Sequence, residues 1–457
     1  MSKKNESLQS ENKMGTMSIG KLLISMSLPM MISMFVQSLY NIVDSIFVAQ
    51  ISENALAAVS LAFPIQNLLI AVAVGIGVGI NALLSRRLGE QSHDEVKKTA
   101  LNGVFLNICG TIIFVLVGIF VPRIYFESQT NNPEIIEYGV TYMKICLVFS
   151  AGLFGSITFE RLLQSTGKTL LSMASQLVGT IFNLVFDPLL IFGLCGFPKL
   201  GIAGAAIATV LGQIAAMIVA IILNLKYNKE IDFNIKGFIP SWTVIKGIFS
   251  VGIPSILLML VGSVMVYFLN LILGTFSTTA IAVFGIYFKL QSFIFMPVFG
   301  LNNGAVPIVA YNYGAKRRRR ITRTIKLCVL SACSIMCVGT LIFECFPKFL
   351  LGFFNASNEM LKIGVPALRI IALHFPVAAI CIILGSVFQA LGQGIRSMIV
   401  SFVRQLIILL PIAWLLSLTG SVTNVWWAFP IAEISSLILS FAFFIQIYNK
   451  FIKHLPE

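Results

Sequence analysis

Two aspartates lie inside long apolar runs, where an uncompensated charge is costly and an ionisable residue is by default a candidate for function. Asp44 ends the segment Gln37-Ser38-Leu39-Tyr40-Asn41-Ile42-Val43-Asp44, and Asp187 follows Asn183 by four residues and immediately precedes Pro188. At helical spacing Gln37, Asn41 and Asp44 share one face, with Tyr40 one turn below Asp44. Thr180, Asn183 and Asp187 form a second polar stripe of the same kind. Counted from the start of their apolar runs, both carboxyls fall roughly 27–33 Å along a helix, at matching depth. A carboxyl shielded from water and flanked by neutral oxygens can take up a proton or a sodium ion and release it when water enters. The expected cation site is therefore Asp44, Asn183 and Asp187, with Asn41 and Thr180 beside them; a capped aspartate near a helix end is the plainer alternative.

The chain repeats itself at a fixed offset. Residue n falls on residue n+225 without a gap: Pro29 on Pro254, Gln66 on Gln291, Gly75 on Gly300, Gly89 on Gly314, Gln164 on Gln389 and Gly167 on Gly392. An internal duplication in an apolar chain is the mark of a transporter built from two related halves. At this offset Asp44 meets Leu269, Asn41 meets Val266, Asn183 meets Ile408 and Asp187 meets Ile412. Acids required to fold the repeat would be wanted in both copies; their presence in one copy favours function. The second half has its own polar set, Lys289, His374, Arg404 and Glu433. Arg404 and Glu433 lie at similar depth and are read as a buried ion pair. Lys289 either lines a cavity or meets Glu433, and His374 is read as a hydrogen-bonded helix residue. Gln37, Gln66, Lys289, Gln291 and His374 are the candidates for contact with a transported compound.

These residues need long helices to hold them, and the composition provides those. The chain of 457 residues is 57% hydrophobic and 11% charged, with mean hydropathy +0.93, which excludes an ordinary soluble globule. Twelve stretches reach the roughly 20 apolar residues that span a bilayer. They are about 22–47, 55–84, 99–122, 136–160, 169–193, 202–225, 246–272, 279–310, 324–346, 362–387, 397–418 and 424–447. Six per half makes the repeat parallel. The expected organisation is a tail at 1–21, a six-helix lobe at 22–227, a linker at 228–245, a second lobe at 246–448 and a tail at 449–457. Pro29, Pro188 and Pro254 are read as hinges, because a proline inside a helix removes a donor and frees a carbonyl.

The net charge of +14 has a topological explanation. Of 32 Lys and Arg residues, 24 fall in tails and loops on the side that carries both termini, Arg161 and the run Lys316 to Arg320 among them. This is the positive-inside pattern, which places both termini in the cytoplasm and argues against nucleic acid as a partner. The Lys316 to Arg320 run is read as an orientation anchor, or a contact with anionic lipid. The first residues lack a cleavage signal and are expected to stay attached. No phosphate-binding glycine loop is present, so no nucleotide or other cofactor is expected and energy must come from an ion gradient. The eight cysteines show no metal-ligand spacing.

Span 1 with Pro29 and Tyr40-Asn41-Ile42-Val43-Asp44, the Asn183-x-x-x-Asp187-Pro188 segment, Gln164-Ser165-Thr166-Gly167-Lys168 and Gly201-Ile202-Ala203-Gly204-Ala205-Ala206 together resemble the multidrug and toxic compound extrusion (MATE) family, in its DinF-like bacterial branch. The resemblance covers essentially the whole chain. It implies two six-helix lobes around a central cavity that opens alternately to either side, in a bacterial inner membrane. It also implies export of small, amphipathic, often cationic organic compounds coupled to proton or sodium entry, with Tyr40 and Thr209 beside the Asp44, Asn183 and Asp187 cation site. A monomer surrounded by membrane lipid is expected, and an enzyme is not. The sequence departs from the branch that carries acids in spans 7 and 10. A lipid-linked oligosaccharide flippase of the same superfamily is the alternative; such proteins present several cations to the cavity, whereas the membrane-depth charges here include two lone aspartates.

Overall fold

The protein, seen in a computed structural model, is described over residues 12–354 and 356–456, excluding the side chain of Asn41 and a few others. The described residues form helices and connecting turns, as uninterrupted apolar sequence in lipid requires, since each backbone group must be satisfied within its own segment. The first lobe comprises α1 (Ile19–Ala49), α2 (Glu53–Gly89), α3 (His93–Gln129), α4 (Pro133–Val148 and Ala151–Ser165), α5 (Thr169–Phe192) and α6 (Ile202–Tyr227). The second comprises α7 (Trp242–Gly274), α8 (Thr278–Gly314), α9 (Arg318–Cys345), α10 (Asn358–Ala372 and Phe375–Ala390), α11 (Gly394–Ser417) and α12 (Val422–Ile452). Ten of these helices are individually long and apolar enough to cross a membrane, and α4 and α10 make twelve when each bent pair counts as one span.

The duplication is visible in the backbone. α2 and α8 begin and end 225 residues apart, and the two broken spans break at equivalent places, by 43° in α4 and 48° in α10. The residues expected to be hinges are not where the helices break: α1, α5 and α7 run uninterrupted through Pro29, Pro188 and Pro254. A proline still satisfies a helix when its missing donor is absorbed by slight bending, whereas α4 breaks at Phe149–Ser150 with no proline present. Only the break in α10 has one, Pro376, in the first turn of its second segment.

The second copy departs from the first at one further point. Val403–Leu409 of α11 is wound as a π-helix just before Pro411, and such a turn takes in one extra residue. Beyond it the offset becomes 226. Asn183 and Asp187 are buried, and so are Leu409 and Ala413, whereas Ile408 and Ile412 are only partly so. The ungapped pairing of Asp187 with Ile412 is therefore corrected to Ala413, and that of Asn183 to Leu409.

The lobes meet toward the end that carries both chain termini, along α1 with α8, α2 with α7, and α2 with α8. Glycines permit this approach. A Cβ at Gly89 would stand 3.0 Å from Ala315 N, and one at Gly314 would stand 3.1 Å from Glu90 N, two contacts related by the repeat. Ser27 Oγ donates to the Leu301 carbonyl at 3.2 Å, and Arg161 Nη1 donates to Asn303 Oδ1 at 3.1 Å, each bond crossing from one lobe to the other. Arg161 was expected in a loop; α4 continues to Ser165 and holds it between the lobes.

A strap reinforces the closure. Asn12 Nδ2 donates to the Thr166 carbonyl at 3.0 Å in the first lobe. From the second lobe, Asn312 Nδ2 donates to the Met14 carbonyl at 3.1 Å and Arg317 Nη1 to the Gly15 carbonyl at 2.6 Å. Arg320 donates to the carbonyls of Met14 at 2.9 Å and Met17 at 2.7 Å. Part of the basic run read as an anchor is thus a set of donors to residues 14–17. Burial, and then the Lys168 charge, hold the Lys13 ammonium below its ordinary value, so the strap carries one unfavourable contact among its bonds. The linker, residues 228–241 because the next helix already begins at Trp242, lies against the first lobe through the Lys168–Glu230 pair and Lys97 Nζ to Asp232 at 2.6 Å.

Candidate functional site

Of the residues expected from sequence to form a cation site, Asp44, Asn183 and Asp187 with Tyr40 and Thr209 are brought together by three helices. α5 and α6 cross at a glycine pair: a Cβ on Gly212 would lie 2.7 Å from the Gly179 carbonyl oxygen and 3.0 Å from Asn183 Cβ. Without side chains at that crossing, Thr209 of α6 comes up to Asn183 of α5. With its amide oxygen toward Thr209, Asn183 accepts from Thr209 N at 3.0 Å and from Thr209 Oγ1 at 3.2 Å. Its nitrogen then donates to Asp187 Oδ2 at 2.6 Å and to Tyr40 Oη at 3.1 Å. α1 brings Tyr40 and Asp44, and places the Asp44 carboxyl within hydrogen-bonding reach of the Asp187 carboxyl. A ring contact between Phe47 of α1 and Phe192 of α5, centroids 6.3 Å apart, packs the ends of those two helices beyond the acids.

Two carboxyl groups can hydrogen-bond only if one of them carries a proton. Asp187 is fully buried, and its Oδ1 has no hydrogen-bond partner among the described residues. The cluster thus offers two carboxyls, an amide, a phenol and one uncommitted oxygen, a set of hard donors suited to a proton or to sodium rather than to a soft metal. Among the described residues there is no group of three His, Cys, Asp or Glu placed to hold a metal ion.

The other expected residues divide. Gln66 approaches the cluster from α2, donating to Tyr142 Oη at 3.2 Å and facing Cys146 Sγ at 3.8 Å. Tyr142 and Cys146 of α4 lie within electrostatic reach of Asp44. Tyr142 was missed: a tyrosine in an apolar run gives no signal of its own, and only its neighbours reveal it. Thr180 is not in the cluster; its hydroxyl donates to the Gln176 carbonyl one turn back at 3.0 Å. Gln37 is exposed on the face below Asp44. The side chain of Asn41 lies outside the described residues.

In the second lobe Arg404 Nη1 donates to Glu433 Oε2 at 2.9 Å, the pair read from sequence. Lys289 does not reach Glu433 and is exposed. Gln291 is partly buried, with an oxygen that has no partner among the described residues. His374 is buried at the break of α10, its Nδ1 against the Ile371 carbonyl and its ring among Phe295, Phe375 and Phe429. That is the bonded helix residue expected, although a break, not a straight helix, holds it.

Comparison with known proteins agrees with this architecture. The MatE family model matches residues 29–189 and again 254–415, one match per lobe. The multidrug export protein MepA of Staphylococcus haemolyticus is 28% identical over 418 residues, 91% of each chain. MepA of Staphylococcus aureus is 26% identical over 414 residues, 90% of each. Among solved structures, an outward-facing multidrug resistance MATE family transporter of the MOP superfamily superposes with a TM-score of 0.91 at 24% identity, covering 97% of this chain and 99% of that one. A MOP superfamily transporter from Pyrococcus furiosus superposes with a TM-score of 0.90, also at 24% identity. With both lobes matched by the family model and the helices in the family's arrangement, this chain belongs to the MatE family and is a membrane transporter of the multidrug and toxic compound extrusion class.

Proposed function

We propose that the protein is a secondary antiporter that exports amphipathic, often cationic, organic compounds across a bacterial inner membrane while a proton or sodium ion moves inward. The carrying observation is the Asp44–Asp187 pair: Asp187 is fully buried, Asp44 is half-buried within hydrogen-bonding reach of it, and both are confined to one lobe. A gradient biases a two-state protein only through a group whose affinity for the ion differs between the states. A carboxyl pair that shares one proton in a dry site, and separates when water enters, has that property. Both termini lie in the cytoplasm on this reading, so the packed end is the inner one and the form described is closed inward. Opening inward breaks the α2–α8 crossing, the Arg161–Asn303 bond and the strap. The protein acts as a monomer in lipid, with the exposed Gln37 and Lys289 facing the transported compound.

The relatives named for multidrug export support this substrate class. The flippase alternative gains little, because of the second lobe's two candidate cations Arg404 is already neutralised by Glu433 and Lys289 alone is left to face the cavity. The test is Asp187→Asn, which keeps shape and hydrogen bonding but cannot ionise. In proteoliposomes it should abolish ethidium transport driven by an imposed pH or sodium gradient, with protein still inserted. Parental gradient-driven transport by this variant would reject the site.

A further inference from the structure

The cluster above leaves one buried acid unused. Glu160 of α4 is 8% exposed and faces α5, where Gln176 Nε2 donates to its Oε2 at 2.8 Å and Ser175 Oγ lies 3.5 Å from its Oε1. No cation pairs with it within salt-bridge distance among the described residues. Its one charged neighbour, Arg161, is next in the chain and points instead to Gln164 at 2.9 Å and to Asn303. The facing helix supplies only neutral groups. A carboxylate ionised in such a place carries a desolvation cost of several kcal/mol unless a cation accompanies it.

Its position gives it a role. Thr169, Ser172, Gln176, Thr180, Asn183 and Asp187 follow one another along α5 at steps of three or four residues, a single polar face running the length of the helix. Glu160 meets that face at Gln176, roughly 16 Å from Asp187 and about 10 Å from the end of α5 nearer the termini. Below it Gln164 Nε2 donates to Ser172 Oγ at 2.9 Å, and Thr169 Oγ1 to the Ser25 carbonyl at 3.3 Å. Ser172 and Thr169 are fully buried, so this lower stretch is sealed in the form described. In the second lobe the equivalents of Ser172, Gln176 and Thr180 are still polar (Ser397, Ser401, Gln405), but Glu160 is replaced by Gly385 and no acid lies on α11. The lobe that carries the aspartates is also the lobe that carries this glutamate.

We propose that Glu160 is a second binding station for the coupling cation, occupied between its departure from the Asp44–Asp187 pair and its release at the end that carries the termini. The inference rests on the antiport reading. For a proton, the O–H bond broken at Asp187 is remade through water on a Glu160 oxygen, and the aspartate is left as carboxylate. For sodium, the ion exchanges the aspartate oxygens for those of Glu160, Gln176 and Ser175.

The test compares the parent with Glu160→Gln and Asp187→Asn in proteoliposomes, reading ethidium binding, ethidium exchange without a gradient, and ethidium transport under an imposed pH or sodium gradient. Glu160→Gln is expected to bind and exchange ethidium like the parent while losing gradient-driven transport by roughly 100-fold, and Glu160→Asp to restore most of it. Parental gradient-driven transport in Glu160→Gln overturns the station. So does weakened ethidium binding with the gradient response intact, which would make Glu160 a contact for the organic cation. If Glu160→Gln fails to insert, Gln176→Leu keeps the acid but removes its donor and interrupts the stripe; a parental gradient response there also overturns the proposal. If Asp187→Asn keeps its coupling while Glu160→Gln loses it, the reading of the aspartates fails and the station stands.

Discussion

Each lobe buries acid in the membrane, and they treat it in opposite ways. In the second lobe Glu433 has Arg404 at 2.9 Å, so the charge is neutralised permanently within the fold. In the first lobe Asp187 has a second carboxyl and the Asn183 amide, with the Tyr40 phenol on that amide, but no cation among the described residues. A fixed partner makes a group part of the structure; a group without one is, on the antiport reading proposed above, left for a mobile ion. The same backbone thus carries a finished charge pair on one side and an unfinished one on the other.

The largest effect that would separate the two is loss of coupling. Asp187→Asn should remove gradient-driven ethidium transport while leaving thermal stability in detergent near parental, because no partner is stranded. Glu433→Gln should do the reverse. It strands Arg404 and should cost about 3–5 kcal/mol, seen as a lower melting temperature, with part recovered when Arg404→Gln is added. If Glu433→Gln keeps parental stability but loses transport, the contrast between the lobes collapses.

The contacts between lobes should respond more moderately. Gly89→Ala and Gly314→Ala each push a methyl against the facing backbone, and overpacking of this kind costs about 1–3 kcal/mol. Spin labels on the exposed positions Lys98 and Arg319 should show longer distances for both variants. A shift for one alone would mean that the repeat-related crossing is not mechanically symmetric. Asn312→Ala removes one donor to the strap and should loosen it by about 1 kcal/mol, read as faster amide exchange at Met14 to Met17. Unchanged exchange there would show that the arginines alone hold it.

Smallest is a pH effect outside the membrane. The hydrogen bond from Lys97 holds the Asp232 carboxyl below the usual carboxylate range. A carboxyl depressed in the folded state contributes above its ordinary range and loses that contribution as pH falls through the depressed value. Amide protection in residues 228–241 should decline over that acid window, and Lys97→Ala should remove the decline.

Much of this was legible because a bilayer is a strict solvent. Long apolar runs announce spans, and charges within them must find partners, so Asp44 with Asp187 and Arg404 with Glu433 were paired by depth alone. Burial against another helix has no such signature. Glu160 stands beside Arg161, and that pair read as the end of a span until α4 was seen to continue to Ser165. Thr180 had the right spacing, but its hydroxyl turns back on its own helix. Arg317 and Arg320 look like any basic loop; their carbonyl acceptors lie some 300 positions earlier in the chain. The break at Phe149–Ser150 carries no proline to mark it.

The π turn in α11 has an implication for anyone wishing to graft the proposed cation site into the second lobe. A design that follows the constant offset would write Ile408→Asn and Ile412→Asp, and both side chains would project from the wrong side of the helix. With the inserted residue counted, the positions are Leu409→Asn and Ala413→Asp, facing Leu269→Asp on α7. The second MatE match is longer than the first by one residue, as such an insertion requires. The turn that contains Arg404 has therefore also moved the address at which a second acid pair would have to be written.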